Sequence, residues 1–67
     1  MIVIQEDIWR ADYIVGFGWD GPNTFQIWLS ISSEPFEYEF NTPSEALAAY
    51  KTSIEKWKLE IEAQRTR

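Results

Sequence analysis

The sequence predicts an α+β domain. A three-stranded antiparallel meander, four-stranded if the first residues pair on their own, carries one C-terminal helix across one face. Three observations lead there: apolar residues alternate with period two up to residue 41, turn-forming clusters divide that stretch, and a helix-capping sequence opens an apolar stripe of helical period. The 67 residues make a single domain, 1–67, because two would not fit.

The first strand is expected over roughly 2–19. Trp9, Ala11, Tyr13, Val15, Phe17 and Trp19 all stand at odd positions, the pattern of a half-buried strand. Glu6-Asp7 interrupts it, so Met1–Gln5 reads either as a separate short strand or as the start of the same one. Asp20-Gly21-Pro22-Asn23 then turns the chain into a second strand, roughly 24–32. There Phe25, Ile27, Leu29 and Ile31 face the core, while Gln26, Trp28, Ser30 and Ser32 face outward. After Ser32-Ser33-Glu34-Pro35 the third strand, roughly 35–41, puts Phe36, Tyr38 and Phe40 inside and Glu37 and Glu39 outside. Short turns between successive strands give antiparallel pairing with one wet face.

The helix is expected over roughly 43–64. Thr42-Pro43-Ser44-Glu45 is a capping box, in which the Thr42 hydroxyl accepts from a first-turn N–H and Pro43 suits the first helical position. Leu47, Tyr50, Ile54, Trp57 and Ile61 follow at spacings of 3, 4, 3 and 4, one apolar stripe to lay on the sheet. Leu59 falls on the far side, near Ala48.

Composition restricts the chemistry. With no Cys and no His, a disulfide framework, a Cys/His zinc site, a thiol nucleophile and a Ser-His-Asp triad are all excluded. Aromatic residues reach 16%, with four Trp, three Tyr and four Phe, and large rings help a short chain build a core. The start, Met1-Ile2-Val3-Ile4-Gln5-Glu6-Asp7, lacks the basic residues of a secretory leader, and no apolar run approaches the ~18 residues of a membrane span. A cytoplasmic protein is expected, in a host cytoplasm if a phage encodes it, and the lack of Cys agrees with a reducing compartment.

Charge is uneven. Residues 1–42 carry seven acids against Arg10 alone, a net −6, and residues 43–67 carry a net +1. The acidity therefore belongs to the sheet and its turns. Glu34, Glu37 and Glu39, with Asp12 and Asp20, are expected to form an acidic sheet face. Such a face opposes direct nucleic-acid binding, which needs a basic stripe. It can instead imitate phosphate and occupy a basic groove of a nucleic-acid-binding protein, or simply keep a small protein soluble.

Other motifs carry less. Glu37 and Glu39 share a face about 7 Å apart at Cα, but paired carboxylates do acid–base or metal work only in a cleft, and an open strand offers none. Gly16-Phe17-Gly18-Trp19 holds a G-x-G without the third glycine or the following helix of a nucleotide loop. Its glycines read as room for a large ring on the next strand. No enzyme, cofactor or metal site is expected. Trp28, on the polar face of its strand, is the natural anchor of a partner contact.

The first functional expectation is a small protein-binding module. Trp28, Asp12, Asp20, Glu34, Glu37 and Glu39 would meet a basic partner, in the manner of an anti-CRISPR or anti-restriction inhibitor from a phage or mobile element. The alternative is a self-assembling subunit, such as a homodimer, that buries Leu59 and Trp28 between copies. A small-ligand binder using Trp19 and Trp28 ranks third.

Overall fold

The computed structural model describes residues 1–65. Five strands and one helix follow in order: β1 (Ile2–Ile4), β2 (Asp7–Trp9), β3 (Ile14–Gly21), β4 (Thr24–Leu29), β5 (Phe36–Glu39) and α1 (Pro43–Arg65). Strands β3, β4 and β5 form the antiparallel meander, β1 and β2 form a separate antiparallel ribbon, and α1 packs against them. The α+β class and the three-stranded meander are as the alternation and capping patterns predict.

The expected strand over 2–19 is corrected, and of its two readings the separate short strand at the start holds, as β1. The stretch is divided twice, and each division has a local cause. Gln5-Glu6 turns β1 into β2, with Gln5 in the left-handed region at φ 54°. That conformation costs a non-glycine residue roughly 1–2 kcal/mol. The Gln5 side-chain amide donates to the Glu39 carbonyl oxygen at 2.7 Å, which offsets part of the cost and caps one acceptor on the free edge of β5. The second division is a 3-10 turn at Ala11–Tyr13. Arg10 closes it by pairing with both carboxylate oxygens of Asp12, at 3.1 and 3.2 Å, and by lying 5.1 Å over the Tyr13 ring. The turn breaks the parity of the odd-numbered set, so that Ile14 is buried while Tyr13 and Val15 are exposed. Val15 is then the extra residue of a bulge, since Ile14 faces Leu29 and Gly16 faces Trp28. The bulge restores the odd parity, and Phe17 and Trp19 point to the core side.

The core lies between the sheet and a second layer made of the ribbon and α1. Ile2, Ile4, Ile14, Phe25, Ile27, Leu29 and Tyr38 are its buried members. Phe25 stacks on Phe40, leans on Tyr38 and meets the edge of Tyr50 from the helix. Asn23 clasps the β3–β4 hairpin to the end of β5: its side-chain amide donates to the Phe40 carbonyl at 2.6 Å and its own carbonyl accepts from the Phe40 N–H at 2.9 Å. Two expected core residues lie elsewhere. β4 ends at Leu29, which leaves Ile31 exposed in the following loop. Phe36 points inward but stands at the sheet margin, half-exposed against Trp9.

Helix α1 begins as its sequence specifies. The Glu45 N–H donates to Thr42 Oγ1 at 3.2 Å, and the Ala46 N–H to the Thr42 carbonyl. The stripe it buries is a second correction. Ala46 and Ser53 are the buried residues, with Ala49, Tyr50, Ile54 and Trp57 half-buried, while Leu47 is exposed. Small side chains let the helix come close to its neighbours, with Ser53 beside Ile2 and Val3 of β1, and Tyr50 and Trp57 reach the sheet, both edge-on to Phe17. Trp57 Nε1 also donates to the Ala11 carbonyl at 3.1 Å, tying α1 to the 3-10 turn.

A partly buried polar relay joins the ribbon to the sheet. Trp9 Nε1 donates to the Tyr38 hydroxyl at 2.6 Å, and that hydroxyl donates to Asp7 Oδ2 at 2.7 Å. Burial, then the hydrogen bond to the Asp7 carboxylate, push the Tyr38 hydroxyl well above the ordinary tyrosine value, with the Trp9 N–H pulling the other way. A pKa raised by folding means that the folded state holds its proton longer. The stabilisation is complete below the unfolded value of 10.0 and is lost as pH rises above it. Alkaline unfolding followed by circular dichroism is therefore expected to show a steep loss of stability above pH 10. Tyr38→Phe should make the protein less stable at neutral pH yet flatten that alkaline slope. An unchanged slope would remove Tyr38 as its source.

Candidate functional site: the outer sheet face

The inner face of the meander is occupied. Its ring contacts with the second layer run from Phe17, Trp19, Phe25 and Phe36. The opposite face is open, and strand alternation decides what stands on it. In the pairing register Gly16 lies opposite Trp28, Gly18 opposite Gln26, Gln26 opposite Glu37, and Thr24 opposite Glu39. Residues directly opposite share a face. One surface therefore carries Gly16, Gly18, Thr24, Gln26, Trp28, Glu37 and Glu39.

Trp28 is its centre and keeps 42% of its surface exposed. Its ring leans diagonally over Gly18, where an added methyl group would stand 3.5 Å from Trp28 Nε1 and 3.8 Å from Gln26 Oε1. A methyl group at Gly18 would therefore sit in ordinary contact with the Trp28 ring, whereas one at Gly16 would meet no atom within 4 Å. Gln26 Nε2 donates to Glu37 Oε2 at 3.4 Å, a long bond that steers the carboxylate toward the middle of the face.

The other sequence-predicted residues fall around this centre or away from it. Glu34 lies in the β4–β5 loop, in a local turn where its N–H donates to Ser32 Oγ and its carbonyl accepts from the same hydroxyl. Asp20 is exposed beside the β3–β4 turn, as the extra residue between Trp19 and Gly21. Asp12 is a correction to the expected acidic face. It belongs to the 3-10 turn, pairs with Arg10, and borders a hollow shared with Glu60 and Gln64 of α1. Leu59, 65% exposed, is on the helix and so in the layer opposite Trp28. One isologous contact cannot bury both.

Chemically the face is one exposed indole among small and polar side chains, with carboxylates along β5. Glu37 and Glu39 are both exposed and stand in no cleft. Among the described residues no group of three or more His, Cys, Asp or Glu side chains could hold a metal ion. A hollow of about 270 Å³ opens on the other layer, between Met1–Val3 and Thr52, Ser53 and Lys56 of α1. No helix of the described residues is long and apolar enough to cross a membrane.

Sequence reading missed two surface features. Val3 and Ile8 face each other on the outside of the ribbon, both exposed. A hairpin placed at Gln5-Glu6 would have found them. The difference between Gly16 and Gly18 depends on the lean of one indole ring, which no periodicity encodes.

Comparison with protein-family models, with curated proteins and with solved structures returns no match.

Proposed function

We propose that the chain is a non-enzymatic protein-binding module whose outer sheet face docks on a basic surface of a partner protein. The observation that supports it most is the open face itself: an exposed Trp28 on a face whose β5 edge carries Glu37 and Glu39, with no Lys or Arg anywhere in residues 11–50. Trp is the residue type most enriched at binding hot spots. Carboxylates around it would steer a basic partner and reject an acidic one. A groove that ordinarily holds nucleic acid is the partner surface with the matching charge. The finer form of the proposal is an inhibitor of anti-CRISPR or anti-restriction type, encoded by a phage or mobile element and acting in the host cytoplasm.

The test is capture from host lysate on the tagged protein, with elution in salt steps. A basic, nucleic-acid-binding protein released by salt is the expected result. Glu37→Lys with Glu39→Lys should lower its retention by roughly tenfold. Retention that ignores both salt and charge reversal would remove the electrostatic reading.

The second reading, a self-assembling subunit, draws on the exposed Val3–Ile8 pair and on Leu59. Light scattering that shows a monomer at high concentration would end it.

A further inference from the structure

We infer that the outer face takes an arginine side chain from a basic partner segment, its stem over the bare floor at Gly16 on β3 and its guanidinium on Trp28, turned toward Glu37 across β4. This rests on the reading of the outer face as a docking surface and names the group it recognises.

Gly16 supplies the first argument. Glycine weakens a strand interior and is found there at bends, at bulges, or where another chain or ligand comes close. No glycine in the chain has a positive φ, so the backbone at Gly16 does not require one. No neighbouring atom requires one either, since an added methyl group would meet nothing within 4 Å. The position next to the bulged Val15 is left empty on the open face, directly across from Trp28.

The neighbours of that floor supply the second argument. The Trp28 ring, leaning over Gly18, leaves the Gly16 side uncovered. Glu37 is a diagonal neighbour of Trp28, since it pairs with Gln26 two residues away on β4. Diagonal neighbours stand roughly 7–8 Å apart, within reach of long side chains. The hydrogen-bond partner of the Glu37 carboxylate is the neutral Gln26 amide, and the described ion pairs lie elsewhere. An indole face and an uncompensated carboxylate separated by one diagonal suit a flat cation. Guanidinium stacks on an aromatic face and can also offer two parallel N–H groups to a carboxylate, whereas ammonium is a point charge.

Charge also separates the occupants. A second copy docked face to face would set Glu37 and Glu39 against their own kind, and β3, β4 and β5 contain no cation to relieve it. An anionic ligand meets the same repulsion.

The experiment titrates the isotope-labelled full chain with a short Gly/Ser peptide carrying arginines, and in parallel with the same peptide carrying citrulline. The signals read are the amides of Gly16 and Gly18 and the indole N–H of Trp28, assigned with Trp28→Phe. The arginine peptide should move all three, and the citrulline peptide should move them at least tenfold more weakly. Gly16→Val has room for its Cβ and should keep the fold while weakening the arginine peptide about tenfold. Glu37→Gln should weaken it without change at Gly16. Equal response to citrulline, shifts confined to α1 or the ribbon, or indifference to Gly16→Val would each overturn the arginine site. Shifts of the same signals with protein concentration alone would assign the face to a second copy and overturn it too. A salt-released lysate partner without any arginine response would overturn the arginine site and leave the docking reading standing. An arginine response without a lysate partner would keep the arginine site and count against the docking reading.

Discussion

Phe25→Ala is expected to leave a large fraction of the molecules unfolded at 25 °C. The ring is fully buried at the meeting point of the layers. It lies 5.6 Å from Phe40 in a stacked pair, 5.9 Å from Tyr38 and 5.5 Å from Tyr50. Those partners come from the end of the sheet, from the polar relay and from the helix, so one deletion loosens all three. Truncating a buried Phe costs about 3–5 kcal/mol, because the cavity collapses only in part. A core in a chain below 70–80 residues rarely supplies more than about 3–5 kcal/mol in total. The two figures nearly cancel. Urea titration by circular dichroism checks the outcome, with Phe36→Ala as the control at the half-exposed margin. A loss below 1 kcal/mol for Phe25→Ala would mean that the layers do not meet at this ring.

Ala46→Leu and Leu47→Ala are expected to rank against ordinary intuition. Enlarging Ala46 should destabilise by about 1–3 kcal/mol, because the residue is fully buried and an added side chain must push its neighbours apart. Shrinking Leu47, 43% exposed, removes only a partial burial and should cost about 1 kcal/mol or less. Thermal melts of the two variants decide it. The reverse ranking would turn the helix by one residue, about 100° around its axis.

That comparison also shows where sequence reading succeeds and fails. Leu47 attracts attention because it is large and apolar at helical spacing. Close packing, however, selects small residues at the line of contact, and Ala46 and Ser53 carry little hydropathy signal. The first strand fails for a related reason. Alternation reports parity, and the 3-10 turn at Ala11–Tyr13 and the bulge at Val15 each change parity by insertion. Their two shifts compensate, so the odd-numbered pattern looks continuous although Tyr13 and Val15 are outside. β4 contains no such insertion. Phe25, Ile27 and Leu29 are inside as read, and Trp28 outside, with Glu37 and Glu39 outward on β5. The centre of the candidate face was therefore legible. Asp12 was not, because it sits within the 3-10 turn that breaks parity and pairs with Arg10.

The length of α1 has a consequence for how the molecule opens over time. Twenty-three helical residues extend roughly 34 Å, longer than any strand of the sheet. Beyond Ile61 every described helix residue is exposed, whereas Ala46 to Trp57 lie against the core. Opening of the first part requires the core to come apart with it. The last turns can unwind and re-form alone, held mainly by their own backbone bonds. One continuous helix thus carries two clocks, a slow one set by global unfolding and a fast one set by helix fraying.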